Sequence, residues 1–143
     1  MSETPQFHPF HLAIPVQDLQ ESRDFYGKLL SCTEGRSTEK WIDYNFFGHQ
    51  LSLHLKPEET RIAQANEVDG KNVPVRHFGA ILPWKEWHEL AEKLRAADIK
   101  FTIEPYERFR GEIGEQATMF FHDPSGNALE FKSFKDMSMI FAA

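Results

Sequence analysis

Cysteine is nearly absent. Cys32 is the single thiol in 143 residues. One thiol cannot close an internal bridge, which excludes the small secreted domain stapled by disulfides. Nothing around Cys32 marks an activated thiolate, so a structural residue is expected there. Long apolar runs are absent too: none approaches the ~20 residues a membrane helix needs. Basic residues are outnumbered, with 16 Lys and Arg against 22 Asp and Glu, a formal net charge of −6. A nucleic-acid binder needs a basic surface to displace counterions, so that class is disfavoured. The opening MSETPQFHPF carries neither the basic nor the apolar block of a secretory leader. A reducing cytoplasm is the expected compartment, with no membrane association.

What is present describes a folded domain. The hydrophobic fraction is 41%, with 13 Phe, and this length normally makes one domain with a real core. The chain reads as two similar halves. Each opens with a short strand beginning at a histidine, FHLAIPV near 10–16 and RHFGAIL near 76–82. Phe10, Leu12, Ile14 and Val16 alternate on one face of the first; Phe78, Ala80 and Leu82 do so in the second. His11 and His77 therefore point to the opposite faces.

An amphipathic helix follows each strand. Asp18 with Glu21 makes a capping-box start for the first, lined by Leu19, Ser22, Phe25, Tyr26 and Leu29. Trp84, Trp87, Leu90, Ala91 and Leu94 recur at helical spacing in the second, and core packing is the expected role of the Trp pair. Strand-like segments come next: a faint one near 32–37, then 41–47 and 50–56 in the first half, and 99–104, 117–122 and 128–133 in the second. Residues 56–74 and 104–116, rich in Pro and Gly, read as long loops.

The expected class is α+β: two βαβββ modules forming curved mixed sheets around a metal-binding cleft. Module 1 spans about 8–56, a linking loop 57–74, module 2 about 75–134, and a tail 135–143, all in one domain. Phe46-Phe47 before His54 and Phe120-Phe121 before Glu130 suggest matching ends of an internal repeat. Asp123-Pro124-Ser125-Gly126 supplies the turn of the second half.

Four residues stand out: His11, His54, His77 and Glu130. Each sits in the first or last strand of its half, on the face opposite the bulky apolar side chains. A lone strand histidine is more often a hydrogen-bonded residue than a ligand. Four such residues at matching places in a repeat reverse that expectation. Imidazole and carboxylate together suit a borderline divalent metal: iron, manganese, nickel or zinc.

At these residues the chain resembles the vicinal oxygen chelate superfamily of glyoxalases, bleomycin-resistance proteins and extradiol dioxygenases. The resemblance covers roughly residues 8–134. It rests on FHLAIPVQDLQESRDFYGKLL, FGHQLSLHL, RHFGAIL and FFHDPSGNALEF. It implies that His11, His77 and Glu130 ligate one metal. Position 54 matches a glutamate ligand of glyoxalase-like members or a catalytic histidine of extradiol dioxygenases. His54 favours the latter, as a general acid–base; a fourth ligand and a structural residue are the alternatives.

As a whole the chain is most similar to bacterial proteins described as predicted extradiol-type dioxygenases. That implies an oxidoreductase, most simply Fe(II)-dependent, acting on a small substrate that chelates the metal through vicinal oxygens. A glyoxalase-type isomerase or lyase, a thiol transferase and a drug-binding resistance protein are the other functions known on this scaffold. A homodimer is expected. The sequence departs from the extradiol signature where Phe120 replaces the tyrosine three residues before Asp-Pro, and where Gly111, Glu112 and Ile113 fill the place of an upstream histidine. Tyr106, Arg108, Arg110 and Glu115 are candidates for the substrate mouth, and His122 is expected to belong to the turn.

Overall fold

The computed structural model describes residues 7–61, 64–68 and 70–143. The chain divides into two compact units, Met1–Glu59 and Thr60–Ala143.

The first unit holds β1 (His11–Val16), α1 (Leu19–Ser22), β2 (Thr33–Ser37), β3 (Trp41–Phe46) and β4 (His49–Leu55). The sheet order is β1-β4-β3-β2, with β1 parallel to β4 and the other pairs antiparallel. Asp18 caps α1 by accepting the Glu21 N–H at 2.8 Å, as the capping-box pattern predicts. From Arg23 to Leu29 the helix widens to π geometry. Alternation in β1, β3 and β4 sends Ile14, Val16, Ile42, Tyr44, Leu51 and Leu53 to the helix side, where they are buried with Phe25 and Tyr26. The tight turn between β3 and β4 is Phe47-Gly48, both at positive φ. Asn45 Oδ1 accepts the Gly48 N–H there at 2.8 Å.

The second unit repeats the plan. It holds β7 (Phe78–Ile81), α2 (Trp84–Ala96), β8 (Phe101–Arg108), β9 (Gln116–His122) and β10 (Ala128–Phe134). The order β7-β10-β9-β8, with β7 parallel to β10, matches that of the first sheet. Each unit is thus a βαβββ module, and the mixed α+β class expected from sequence is what the chain adopts. Trp87, Ala91 and Leu94 of α2 are buried against Met119, Phe121, Leu129 and Phe131 on one face of the sheet. The Trp87 indole N–H donates to the Phe131 carbonyl at 2.8 Å, so this tryptophan is a core residue. Trp84 is half-buried, its ring 4.9 Å from that of His88.

Two stretches differ from the loops the sequence suggests. Within 56–74 lie a 3-10 turn, Pro57–Glu59, and a hairpin of β5 (Gln64–Val68) and β6 (Lys71–Val75). Strand β8 runs on to Arg108, so the second loop is shorter than 104–116. Pro74 and Pro105 suggested breaks. Among the described residues both stand in strands at a sheet edge, where proline is tolerated.

The turn between β9 and β10 is tied by one buried carboxylate. Asp123 Oδ1 accepts the N–H groups of Ser125 and Asn127, each at 2.9 Å, and Oδ2 accepts the Asn127 amide, also at 2.9 Å. His122 belongs to the strand before this turn rather than to the turn itself. Its Nδ1 lies 2.8 Å from the Thr102 hydroxyl.

Candidate metal centre

The parallel strand pair of the second unit brings two of the expected ligands together. His77 stands immediately before β7, and Glu130 lies on β10 opposite Gly79. His77 Nε2 is 3.0 Å from Glu130 Oε1. Both side chains are largely covered, 28% and 16% exposed. The approach depends on Gly79. A Cβ at that position would stand 1.5 Å from the Glu130 carbonyl oxygen, a distance no side chain survives.

Each member of the pair is held from behind. His77 Nδ1 lies 2.5 Å from the Pro74 carbonyl. A carbonyl only accepts, so Nδ1 carries a proton; Nε2 donates to the Glu130 carboxylate and would have to release its proton to ligate a metal. The Thr118 hydroxyl donates to Glu130 Oε2 at 2.5 Å. Phe120, paired with Glu130 across β9, sets its ring edge-on to His77 at 5.0 Å between centroids.

The electrostatics follow from these contacts. The hydrogen bond to Glu130 raises the His77 pKa; burial opposes it and the Pro74 carbonyl reinforces it. Burial pushes the Glu130 carboxyl upward, but the hydrogen bonds from His77 and Thr118 outweigh burial and leave it below the ordinary range. The Lys132 ammonium adds to the lowering of Glu130 and opposes the raising of His77.

A cleft of about 140 Å³ opens at this pair, lined by His77, Gly79, Ala80, Ile81, Glu130 and Lys132. The donor set fits a divalent cation. Imidazole and carboxylate are both donors that borderline divalent metals take, and the 3.0 Å hydrogen bond between Nε2 and Oε1 holds the two side by side. A backbone carbonyl behind the imidazole and a hydroxyl behind the carboxylate are the outer partners that metal ligands commonly carry.

The other two expected residues lie in the first unit. His11 opens β1 and pairs with Gln50; His54 pairs with Pro15. They share one sheet face but stand four residues apart along the paired strands, about 13 Å. That is too far for neighbouring imidazoles on one sheet face to share a cation. Within each unit, among the described residues, no three His, Cys, Asp or Glu side chains gather into a complete metal site.

The strand registers show how the repeat aligns. Gly79, two residues after His77, pairs with Glu130. Ala13, two residues after His11, pairs with Ser52. Ser52, not His54, therefore stands where Glu130 stands. His54 corresponds to Lys132, which pairs with Ile81. The sequence reading aligned the two Phe-Phe pairs, allowed two extra residues in the second turn, and matched His54 to Glu130, two residues off; the turns in fact differ by three, two residues against five. Ser52 is buried, and its hydroxyl donates to Asp43 Oδ1 at 2.6 Å.

Of the candidate mouth residues, Tyr106 pairs with Thr118 on the metal-centre face, and Lys71 lies over its ring at 4.9 Å. Glu115 is buried inside its loop, where its carboxylate accepts the Gly111 N–H at 3.1 Å. Its role is to fold that loop. Arg110 pairs with Glu107 at 2.8 Å, and Glu107 also meets His88 at 3.1 Å. Sequence reasoning missed Thr118 and Lys132. The period-2 alternation around Glu130 could have found Lys132, which falls on the same face.

The chain belongs to the Glyoxalase/Bleomycin resistance protein/Dioxygenase superfamily, whose family model matches residues 8–131. A glyoxalase/bleomycin resistance protein/dioxygenase from Alicyclobacillus acidocaldarius is 37% identical, with a TM-score of 0.76 over 94% of this chain and 96% of that one. Two more distant structures share the fold. A lactoylglutathione lyase from Agrobacterium tumefaciens is 19% identical, TM-score 0.64, covering 92% of this chain and 97% of that one. The fosfomycin resistance protein FosX from Listeria monocytogenes is 16% identical, TM-score 0.62, covering 92% and 94%. No curated protein matches the chain.

Proposed function

We propose that this protein is a metal-dependent oxidoreductase of the extradiol-dioxygenase type, acting on a small molecule that chelates the metal through vicinal oxygens. The observation that carries this reading is Ser52. Glyoxalase-like members of the family carry a fourth protein ligand in the first module. Here the register-equivalent of Glu130 is a serine bound to Asp43. The donor set that the family resemblance implies, His11, His77 and Glu130, then has two imidazoles and one carboxylate. That set suits non-haem Fe(II) and leaves positions open for substrate and dioxygen. Mn, Ni and Zn also suit these donors.

The roles follow from the contacts. His77, held by the Pro74 carbonyl, would offer Nε2. Glu130, held by Thr118, would offer Oε1, and His11 is the third ligand implied by the family resemblance. Bound metal would supply Lewis acidity, lowering the proton affinity of the substrate oxygens. Phe120 sets an apolar ring edge against the His77 imidazole. For His54 to be the acid–base residue of this reading, a metal-bound substrate would have to extend to it along the sheet, about 13 Å from His11; it would then take a proton from the substrate and later return it. The setting is cytoplasmic and the active form a homodimer, which sedimentation in dilute buffer checks.

The test is elemental analysis of protein purified without chelators, followed by oxygen uptake with a catechol. About one iron per chain is expected in the wild type, with none retained in His77→Ala. Iron-loaded protein that neither colours with catechol under nitrogen nor consumes oxygen defeats the dioxygenase reading. Activation by nickel or zinc without oxygen uptake would instead assign glyoxalase-type isomerase or lyase chemistry, or thiol transfer.

A further inference from the structure

The cleft at the candidate metal centre holds one group that ligation does not use. Lys132 lies two residues beyond Glu130 on β10, on the same sheet face, and lines the cleft beside His77 and Glu130. It is half-buried. It forms no ion pair with Glu130 or with any other carboxylate of its unit among the described residues. The Phe134 ring lies 5.5 Å from the ammonium, and the nearby Glu130 carboxylate is the negative group it acts on within the cleft.

Glu130 offsets one positive charge, but a divalent metal together with the Lys132 ammonium would still leave the cleft net positive. The arrangement becomes favourable when a third, negative component joins both. We propose that Lys132 is the anion-recognising residue of this site, and that the substrate carries negative charge on its chelating oxygens, as an α-oxygenated carboxylate does. One anion would then bridge the metal and the ammonium. The corresponding place in the first unit holds His54, which carries no permanent charge. This inference rests on the metal-centre reading above.

Oxalate is the probe, because it offers two vicinal oxygens and two negative charges. Manganese is titrated first into wild type, Lys132→Met, Lys132→Gln and Lys132→Arg. Oxalate is then titrated into each manganese-loaded protein by calorimetry. Loss of one charge-assisted contact is expected to weaken oxalate about 10- to 100-fold in the Met and Gln variants. Manganese affinity should stay level or rise in both, since a repelling charge is gone. Arg should restore most of the oxalate affinity. Unchanged oxalate affinity in a manganese-competent Met or Gln variant overturns the inference. So does a parallel loss of manganese and oxalate, which would mark Lys132 as structural. Wild type that binds no manganese defeats the metal-centre reading itself, a separate and distinguishable result.

Discussion

In the first sheet the residue paired with Ala13 is a serine; in the second the residue paired with Gly79 is a glutamate. The two sheets share strand order, parallel first pair and helix placement. They differ in what this one position presents. Ser52 is spent on a hydrogen bond to Asp43. Glu130 is held by Thr118 and aimed at His77. A duplicated scaffold thus keeps its backbone plan while the side-chain chemistry of its halves diverges. A site can be half-erased in one copy without disturbing the fold.

The strongest way to break the comparison is at the glycine. Gly79→Ala drives a methyl into the Glu130 backbone, so β7 and β10 must part. We expect a loss of about 3 kcal/mol or more in urea unfolding, together with loss of bound metal. The converse change in the other copy, Ala13→Gly, should cost only about 0.5–1 kcal/mol. Next comes the ligand pair. His77→Ala should abolish metal retention, read by elemental analysis, whereas Ser52→Ala should leave it intact. The serine change removes one bond to a partly solvated carboxylate, about 1 kcal/mol of stability. If Ser52→Ala strips the metal, the asymmetry drawn here is wrong.

The smallest effect concerns Cys32. Burial raises its pKa to about 11, so the thiol stays protonated at pH 8. Alkylation by iodoacetamide should be slow in the folded protein and reach the ordinary rate in urea. The sign for stability follows. The unfolded thiol ionises first, near its ordinary value of 9.0, so the unfolded state binds fewer protons and stability falls as pH rises from about 9 to 11. Tyr44, pushed up to about 12 mainly by burial and next by Glu34, acts in the same direction at higher pH. Cys32→Ala should flatten the first part of that fall.

Much of this was legible in the chain. Alternation in 10–16 and 128–133, the Asp18 cap and the helical spacing of Trp87, Ala91 and Leu94 report local physics, and each element formed close to where that physics placed it; Phe10, expected on the apolar face, precedes β1 and is 65% exposed. The glutamate and the second histidine were legible for the same reason, since parity alone puts Glu130 opposite Leu129 and Phe131. What escaped depended on neighbours not adjacent in sequence. Pro74 and Pro105 read as breakers because nothing local tells an edge strand from a central one. The match of Ser52 to Glu130 was hidden because turn length, not strand content, sets the offset between the halves. Thr118 gave no signal at all: its role exists only because β9 lies beside β10.

The Asp123 turn has a consequence for the order in which the centre comes together. Thr118 and Glu130 are only 12 residues apart and belong to one hairpin whose bend is already tied by a single carboxylate. Such short-range closure is fast, while joining His77, about fifty residues upstream, waits on a slower, longer-range encounter. On sequence separation alone the carboxylate is expected to acquire its hydroxyl before its imidazole, an order that pulsed hydrogen exchange during refolding would check.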